Sequence, residues 1–279
     1  MAYYELNVKI DVGGLIGELQ ASVQRVINLV ASGLTTKQHI TSDLLRLPDT
    51  SMGITVHDKL NLDTEMTQKA YSQWLLLNGF RDVIEGMSFF LESAHRVLSF
   101  WELVGHQQSK VTVTGADWNR IITGGDKKFN KLHFPQKLDH IANEHGIAID
   151  AGLKGQILTI NATRNCMVHR NGIVSEADCN VPGGLEIKWT KLVLILMDEN
   201  GGKEVVPPFK ADKGDTIGLR NREEKKIFSL GAQIQFTVQE FADICWCLFL
   251  FGNSLRDSIQ KKGVELGLIN LNPPARQNV

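Results

Sequence analysis

Cysteine is scarce in this chain: Cys166, Cys179, Cys245 and Cys247 are the only four among 279 residues. Their spacing fits neither a zinc ribbon nor the dense pairing that staples small secreted domains. No apolar run reaches the ~18 residues needed to cross a bilayer. The longest candidate, ICWCLFLF at 244–251, is bounded by Asp243 and Asn253. An excess of either charge is missing too, with 30 Lys+Arg against 31 Asp+Glu. That balance excludes a strongly basic nucleic-acid coat and leaves room only for a local basic site. The opening MAYYELNVKID has no basic segment followed by an apolar run, so no secretory signal is expected. Internal repeats and low-complexity linkers are absent as well. These absences point to a soluble, cytoplasmic chain. What remains is ordinary globular composition, 43% hydrophobic and 22% charged, at a length that can bury a full core.

Apolar periodicity supplies most of the fold. Leu15, Ile16, Leu19, Val23, Val26, Ile27 and Val30 form one helical stripe, with Gly33 as its expected stop. A mixed stretch from Thr35 to about Asp63, divided by Pro48 and Gly53, reads as loops with one short helix. The clearest helix begins near Thr64. Phe80, Val83, Ile84, Met87, Phe90, Leu91, Ala94, Val97, Leu98, Trp101 and Val104 keep its period, while Arg81, Asp82, Glu85, Glu92, Ser93, Arg96 and Glu102 take the other side. Asn78-Gly79 is a potential kink in this spine. A shorter helix is expected from Pro135, ended by Gly146. Asp150 can cap the next, which carries Leu153, Ile157, Ile160, Arg164 and Val168.

After Gly172 the pattern changes. LEIKWTKLVLILM at 185–197, the turn ENGG at 199–202, KEVVPPF, and KKIFSLGAQIQFT at 225–237 read as three strands. Thr237 and Glu240 then fit a capping box before a last helix bearing Phe241, Ile244, Cys245, Leu248, Leu255 and Ile259. The tail INLNPPARQNV reads as frayed. The expected fold class is mainly α, a helical bundle with a small antiparallel β insertion. Residues 1–279 form one composite domain in this reading, with the bundle at 13–172 and 238–263 and the β-rich insertion at about 185–237.

The most informative string is RNCMVHRNGIV at 164–174, which closes a helix and enters a glycine turn. Arg164 and His169 are about 140° apart around an ideal helix, so they share no face unless the long guanidinium reaches round. Asn165 and His169, four apart, do share one. This passage resembles the HEPN superfamily, whose hallmark is Arg, four to six residues, then His, at a helix end. Asn165 stands where a polar residue often follows the arginine, and VHRNGIV is similar to the VHNxGxV ending of many prokaryotic members. The likeness is local, and the sheet-forming stretch after residue 184 departs from a minimal four-helix member.

The resemblance implies a HEPN-like bundle and metal-independent cleavage of RNA, often at a site built across a two-fold dimer. His169 would take the proton from a ribose 2′-OH, because imidazole titrates near working pH. Arg164 would stabilise the pentavalent phosphate, and Asn165 would orient His169 or bind a phosphate oxygen. Arg170 and Lys154 are assigned to the RNA backbone. A partner subunit's imidazole would protonate the leaving oxygen. The implied partners are RNA, a second copy of the chain, and an antitoxin or other regulatory protein, with no membrane and no cofactor. The implied role is a toxin or antiviral defence effector. The alternative is a non-catalytic HEPN-like module that binds RNA, nucleotide or a protein, in which Arg and His merely cap a helix end.

Other signals read as structural. His133, His140 and His145 fall on no single helical face and are expected at the surface, so no metal is assigned. Cys245 and Cys247 read as core, and GGDKKF at 124–129 as a solvated turn. The clusters Lys127, Lys128, Lys131 and Arg220, Arg222, Lys225, Lys226 read as solvated faces. His95 and Arg96 receive no partner.

Overall fold

The computed structural model describes residues 12–40, 64–105, 127–198, 201–206, 208–210, 214 and 216–269. In chain order these form α1 (Val12–Thr36), α2 (Thr64–Gly105), the short α3 (Lys127–Asn130), α4 (Phe134–Asn143) and α5 (Ala151–His169). The strands β1 (Gly184–Asp198), β2 (Gly201–Val205) and β3 (Thr216–Ser229) follow, and then α6 (Val238–Glu265). The protein is therefore mainly helical, with one three-stranded antiparallel sheet in the order β2-β1-β3. Among the described residues no helix is long and apolar enough to cross a membrane. The expected short helix between Thr35 and Asp63 lies largely outside the described residues, which show a single 3-10 turn at Lys37–His39. The tail beyond Ile269 lies outside them too.

The apolar stripes of α1 and α2 are buried against each other. Leu15, Ile16, Leu19, Val23, Val26 and Val30 face Phe80, Val83, Ile84, Met87 and Leu91 within one core cluster. Two glycines act differently from the sequence expectation. Gly33 does not stop α1, which continues to Thr36; a Cβ there would lie 2.5 Å from Leu75 Cδ1. Gly79 does not divide α2, which is one helix of 42 residues, about 63 Å long at 1.5 Å per residue. A Cβ on Gly79 would lie 2.6 Å from Val30 Cγ2, and one on Gly86 would lie 2.6 Å from Ser22 Oγ. The order of these contacts makes α1 and α2 antiparallel. Small residues here serve close helix approach.

The outer side of α2 is not wholly solvated either. Lys137 of α4 is buried and reaches Glu92 at 2.5 Å and Ser88 at 2.9 Å. A lysine so buried needs a carboxylate partner, since an unpaired charge there costs several kcal/mol (about 3–5). The capping expectations for α5 and α6 match the geometry. Leu153 N–H donates to Asp150 Oδ1 at 2.8 Å. Glu240 N–H donates to Thr237 Oγ1 and Thr237 N–H to Glu240 Oε2, the reciprocal box. At α4, Pro135 lies in the first turn and His133 takes the capping position.

The third strand differs from the expected 225–237: β3 begins at Thr216 and ends at Ser229. Gly231 then turns the chain at φ 79°. Most of β3 is polar on both faces, so hydrophobic alternation cannot reveal it. Its cross-strand partners are charged instead, with Lys191 of β1 on Glu224 at 3.0 Å and Arg222 on Glu204 of β2, while Arg222 also pairs with Glu224 along β3 itself. Lys226 is likewise paired, to Glu240 at 2.9 Å.

β2 pairs only with Leu194–Asp198 of β1, and no other described strand covers the first half of that edge. Unpaired backbone groups beside a buried helix are costly unless side chains replace the missing ladder. Lys188 N–H donates to the Thr159 hydroxyl of α5 at 2.9 Å. Asn180 accepts from Glu186 N–H at 2.6 Å and returns Nδ2–H to the Glu186 carbonyl at 2.8 Å. One turn before Thr159, Gln156 accepts from the Thr190 hydroxyl at 2.9 Å and from Cys247 Sγ at 3.1 Å. These bonds lash α5 to the sheet and to α6. Thr159→Val keeps the shape but leaves Lys188 N–H without an acceptor. It should lower unfolding free energy by about 1–3 kcal/mol in urea titrations, with secondary structure unchanged by circular dichroism.

Candidate functional site

The 164–174 string occupies the C-terminal turn of α5 and the loop after it. Arg170 N–H and Gly172 N–H both reach the Cys166 carbonyl, at 2.9 and 3.2 Å, which closes the helix end. Asn171 and Gly172 adopt positive φ of 52° and 74°, a region that Asn tolerates and Gly favours. The turn is then clasped to the segment after β3. Ile234 N–H donates to the Gly172 carbonyl at 2.7 Å, and Gln233 Nε2–H to the Asn171 carbonyl at 2.9 Å. A Cβ at position 172 would come within 2.8 Å of Gln233 Nε2. The glycine is required by both its φ and its neighbour.

Arg164 points away from the helix end. Its Nη2 makes an ion pair with Glu85 of α2 at 2.8 Å, and Nη1 donates to Asn165 Oδ1 at 3.3 Å. Its Nε is buried and makes no hydrogen bond. Asn165 therefore orients the guanidinium, where the sequence paired it with His169. His169 is the last residue of α5 and is exposed. No hydrogen bond or ion pair joins it to any described residue.

The two residues assigned to the RNA backbone are both engaged elsewhere. Arg170 Nη1 pairs with Asp178 Oδ1 at 2.7 Å, and that carboxylate is almost fully buried. Asp178 Oδ2 accepts from Ser175 N–H and Oγ–H at 2.9 and 2.7 Å. Lys154 pairs with Asp139 at 2.7 Å, in the first turn of α5, about 22 Å along the axis from His169. The structure thus joins Arg164, Asn165 and Glu85, sets His169 nearby on the solvent side, and ties Arg170 into the loop. Glu85 was missed as a partner because nothing in the α2 pattern distinguishes it from other outward acids.

Burial pushes the Cys166 thiol up to about 11, helped by the Asp178 charge; burial alone takes Cys245 to about 12. None of the four is in a disulfide, and the Cys166 and Cys245 thiols, held this far above neutral pH, are poor nucleophiles.

The histidines differ most from expectation. His145 is buried, not at the surface, and its Nε2 meets Nδ1 of buried His95 of α2 at 2.8 Å. His140 stands edge-on to both rings, 5.1 Å from His95 and 5.6 Å from His145 between centroids. α4 stops at Asn143, so a helical face rule cannot be carried from His140 to His145. His133 alone of the original three is exposed.

Asp178 makes a pH test of the loop. Burial raises its carboxyl, but the Ser175 hydrogen bonds and the Arg170 charge outweigh that and hold it below its ordinary 3.8. A carboxyl depressed in the folded state contributes stability above the unfolded value and loses it as pH falls through the folded one. Asp178→Asn should cost about 1.5–3 kcal/mol at neutral pH, the range for hydrogen bonds to a charged group. The deficit should shrink below pH 3.8, read from paired denaturation curves across pH.

Comparisons of the chain with protein-family models, with curated protein sequences and with solved structures return no match.

Proposed function

We propose that the chain is a HEPN-type endoribonuclease whose chemistry calls on no metal at the Arg164–His169 site. The observation that carries this reading is an exposed imidazole at a helix end, with no partner among the described residues, on the same helix as an arginine that a carboxylate anchors five residues earlier. His169 removes the 2′-OH proton, the 2′-oxygen attacks phosphorus, and the bond to the 5′-oxygen breaks. Arg164 stabilises the charge that builds on the phosphate. Glu85 and Asn165 hold that guanidinium in place. The leaving oxygen takes its proton from a second imidazole, supplied by a partner subunit in a two-fold assembly. The finer expectations follow from this reading: a cytoplasmic homodimer acting on RNA as a toxin or defence effector, held in check by an antitoxin or regulatory partner.

One observation favours the rival, a non-catalytic module that binds RNA, nucleotide or protein. Glu85 already neutralises Arg164, and a phosphate must displace that carboxylate or use the remaining donors. The two readings part on one assay. Single-stranded and structured RNAs incubated with the protein in EDTA should be cut to 2′,3′-cyclic phosphate and 5′-hydroxyl ends. Arg164→Ala and His169→Ala should each slow cleavage by about 100-fold or more with the fold intact, and a 2′-deoxy residue at the cut site should block it. Binding without cleavage favours the module; efficient cutting of the 2′-deoxy substrate overturns the mechanism.

Assembly is tested by mixing subunits. If each subunit contributes one intact Arg164–His169 set, mixtures of Arg164→Ala and His169→Ala protein stay inactive. If Arg and His come from different subunits, activity returns. A fully active monomer at assay concentration, by light scattering, overturns the dimeric arrangement.

A further inference from the structure

Beyond the Arg164–His169 site, we infer that His95, His140 and His145 form a binding site for a divalent transition metal, zinc by its donor set. Imidazole nitrogens from α2, from α4 and from the turn after α4 all lie within 4.8 Å of one another. On zinc, with each Zn–N bond 2.0–2.1 Å, tetrahedral nitrogens sit about 3.3 Å apart. The His95–His145 pair, now hydrogen-bonded at 2.8 Å, must open by roughly half an ångström to reach that spacing. The rings radiate instead of stacking: the planes of His95 and His140 meet at 73°, His140 and His145 at 79°, His95 and His145 at 51°. Imidazoles that converge on one point have this disposition.

The surroundings set the protonation that a ligand needs. Glu102, two turns beyond His95 on α2, lies 2.7 Å from His145 Nδ1. A carboxylate there accepts the Nδ1 proton and leaves the Nε2 lone pair for the metal, the usual carboxylate–histidine–zinc relay. Coordination replaces the His95–His145 hydrogen bond, with the His95 proton passing to its other ring nitrogen. Phe129 stacks on His95 at 4.0 Å between centroids and 8° between planes, which fixes that ring before any ion arrives. Packing three imidazoles this closely in a partly buried space is costly if they protonate, and a metal turns the crowding into attraction. Three histidines leave one tetrahedral position for a non-histidine donor such as water.

The test uses the full chain, stripped with chelator and dialysed, and reads metal directly. Cobalt should bind one ion per chain with the visible absorption of a tetrahedral nitrogen site, and zinc should displace it. Zinc should raise Tm, with the gain growing as the logarithm of free zinc once it exceeds Kd. His140→Ala, at the least buried of the three ligands, should abolish the cobalt spectrum while the apo protein keeps its far-UV spectrum. Glu102→Gln should weaken affinity about 10- to 100-fold, and exposed His133→Ala should change nothing. Folded wild-type protein that shows no stoichiometric cobalt or zinc binding overturns the site. So does binding that survives His140→Ala unchanged. None of these readouts depends on ribonuclease activity.

Discussion

The open half of the β1 edge is the constraint on which the rest of the arrangement depends. Backbone groups of Glu186 and Lys188 face α5 where β2 does not extend, and Asn180 and Thr159 satisfy them. Because Thr159 must meet that edge, the rotation of α5 is fixed about its own axis. Arg164, five residues on, is then turned by about 140° toward α2, and His169, ten residues on, by about 80° in the opposite sense. The guanidinium meets Glu85 and the imidazole meets solvent. The candidate site thus inherits its geometry from a sheet edge about one to three helical turns away.

α2 extends that logic to the other end of the molecule. Glu85, which takes Arg164, and His95 and Glu102 of the histidine cluster belong to one uninterrupted helix. Glu92 and Ser88 between them receive the buried Lys137. A residue can therefore look like a solvent-facing charge in a periodic pattern and still be committed to a partner from a distant part of the chain. Charge on a helix surface says only that the position can be wet.

The sequence made the apolar stripes of α1 and α2 legible, because burial on one side of a helix leaves a 3.6-residue signature. The caps at Asp150 and Thr237 were legible for a related reason, since cap chemistry is local and reads over four residues. β3 was not, because its charged side chains pair with opposite charges on β1 and β2 and leave no apolar alternation. Gly33 and Gly79 were misread as breakers because a glycine that ends a helix and one that admits a neighbouring helix look the same until the neighbour is known. Of the candidate site, the residues and the helix end were legible. The partner of Arg164 was not, since Glu85 lies 79 positions away in sequence. The histidine cluster was lost for the same reason, with His95 and His145 separated by 50 positions.

The two ends of the strand excursion meet at its base. Gly184 pairs with Ser229, and Leu230 N–H donates to the Gly183 carbonyl at 3.0 Å. Just outside that junction, Val174 N–H and Gly231 N–H exchange bonds with the Ala232 and Val174 carbonyls. The path from α5 to α6 is consequently closed across the base, whatever the length of chain looped out beyond it. Topologically the hairpin is a detour that returns to its starting point. Energetically it is no detour, since Leu185, Ile187, Trp189 and Phe228 near the base are part of the common core. The pairings at the far end, Asp198 with Gly201 and Met197 with Thr216, lie away from these contacts. At the base the excursion is also the wall against which α5 is seated.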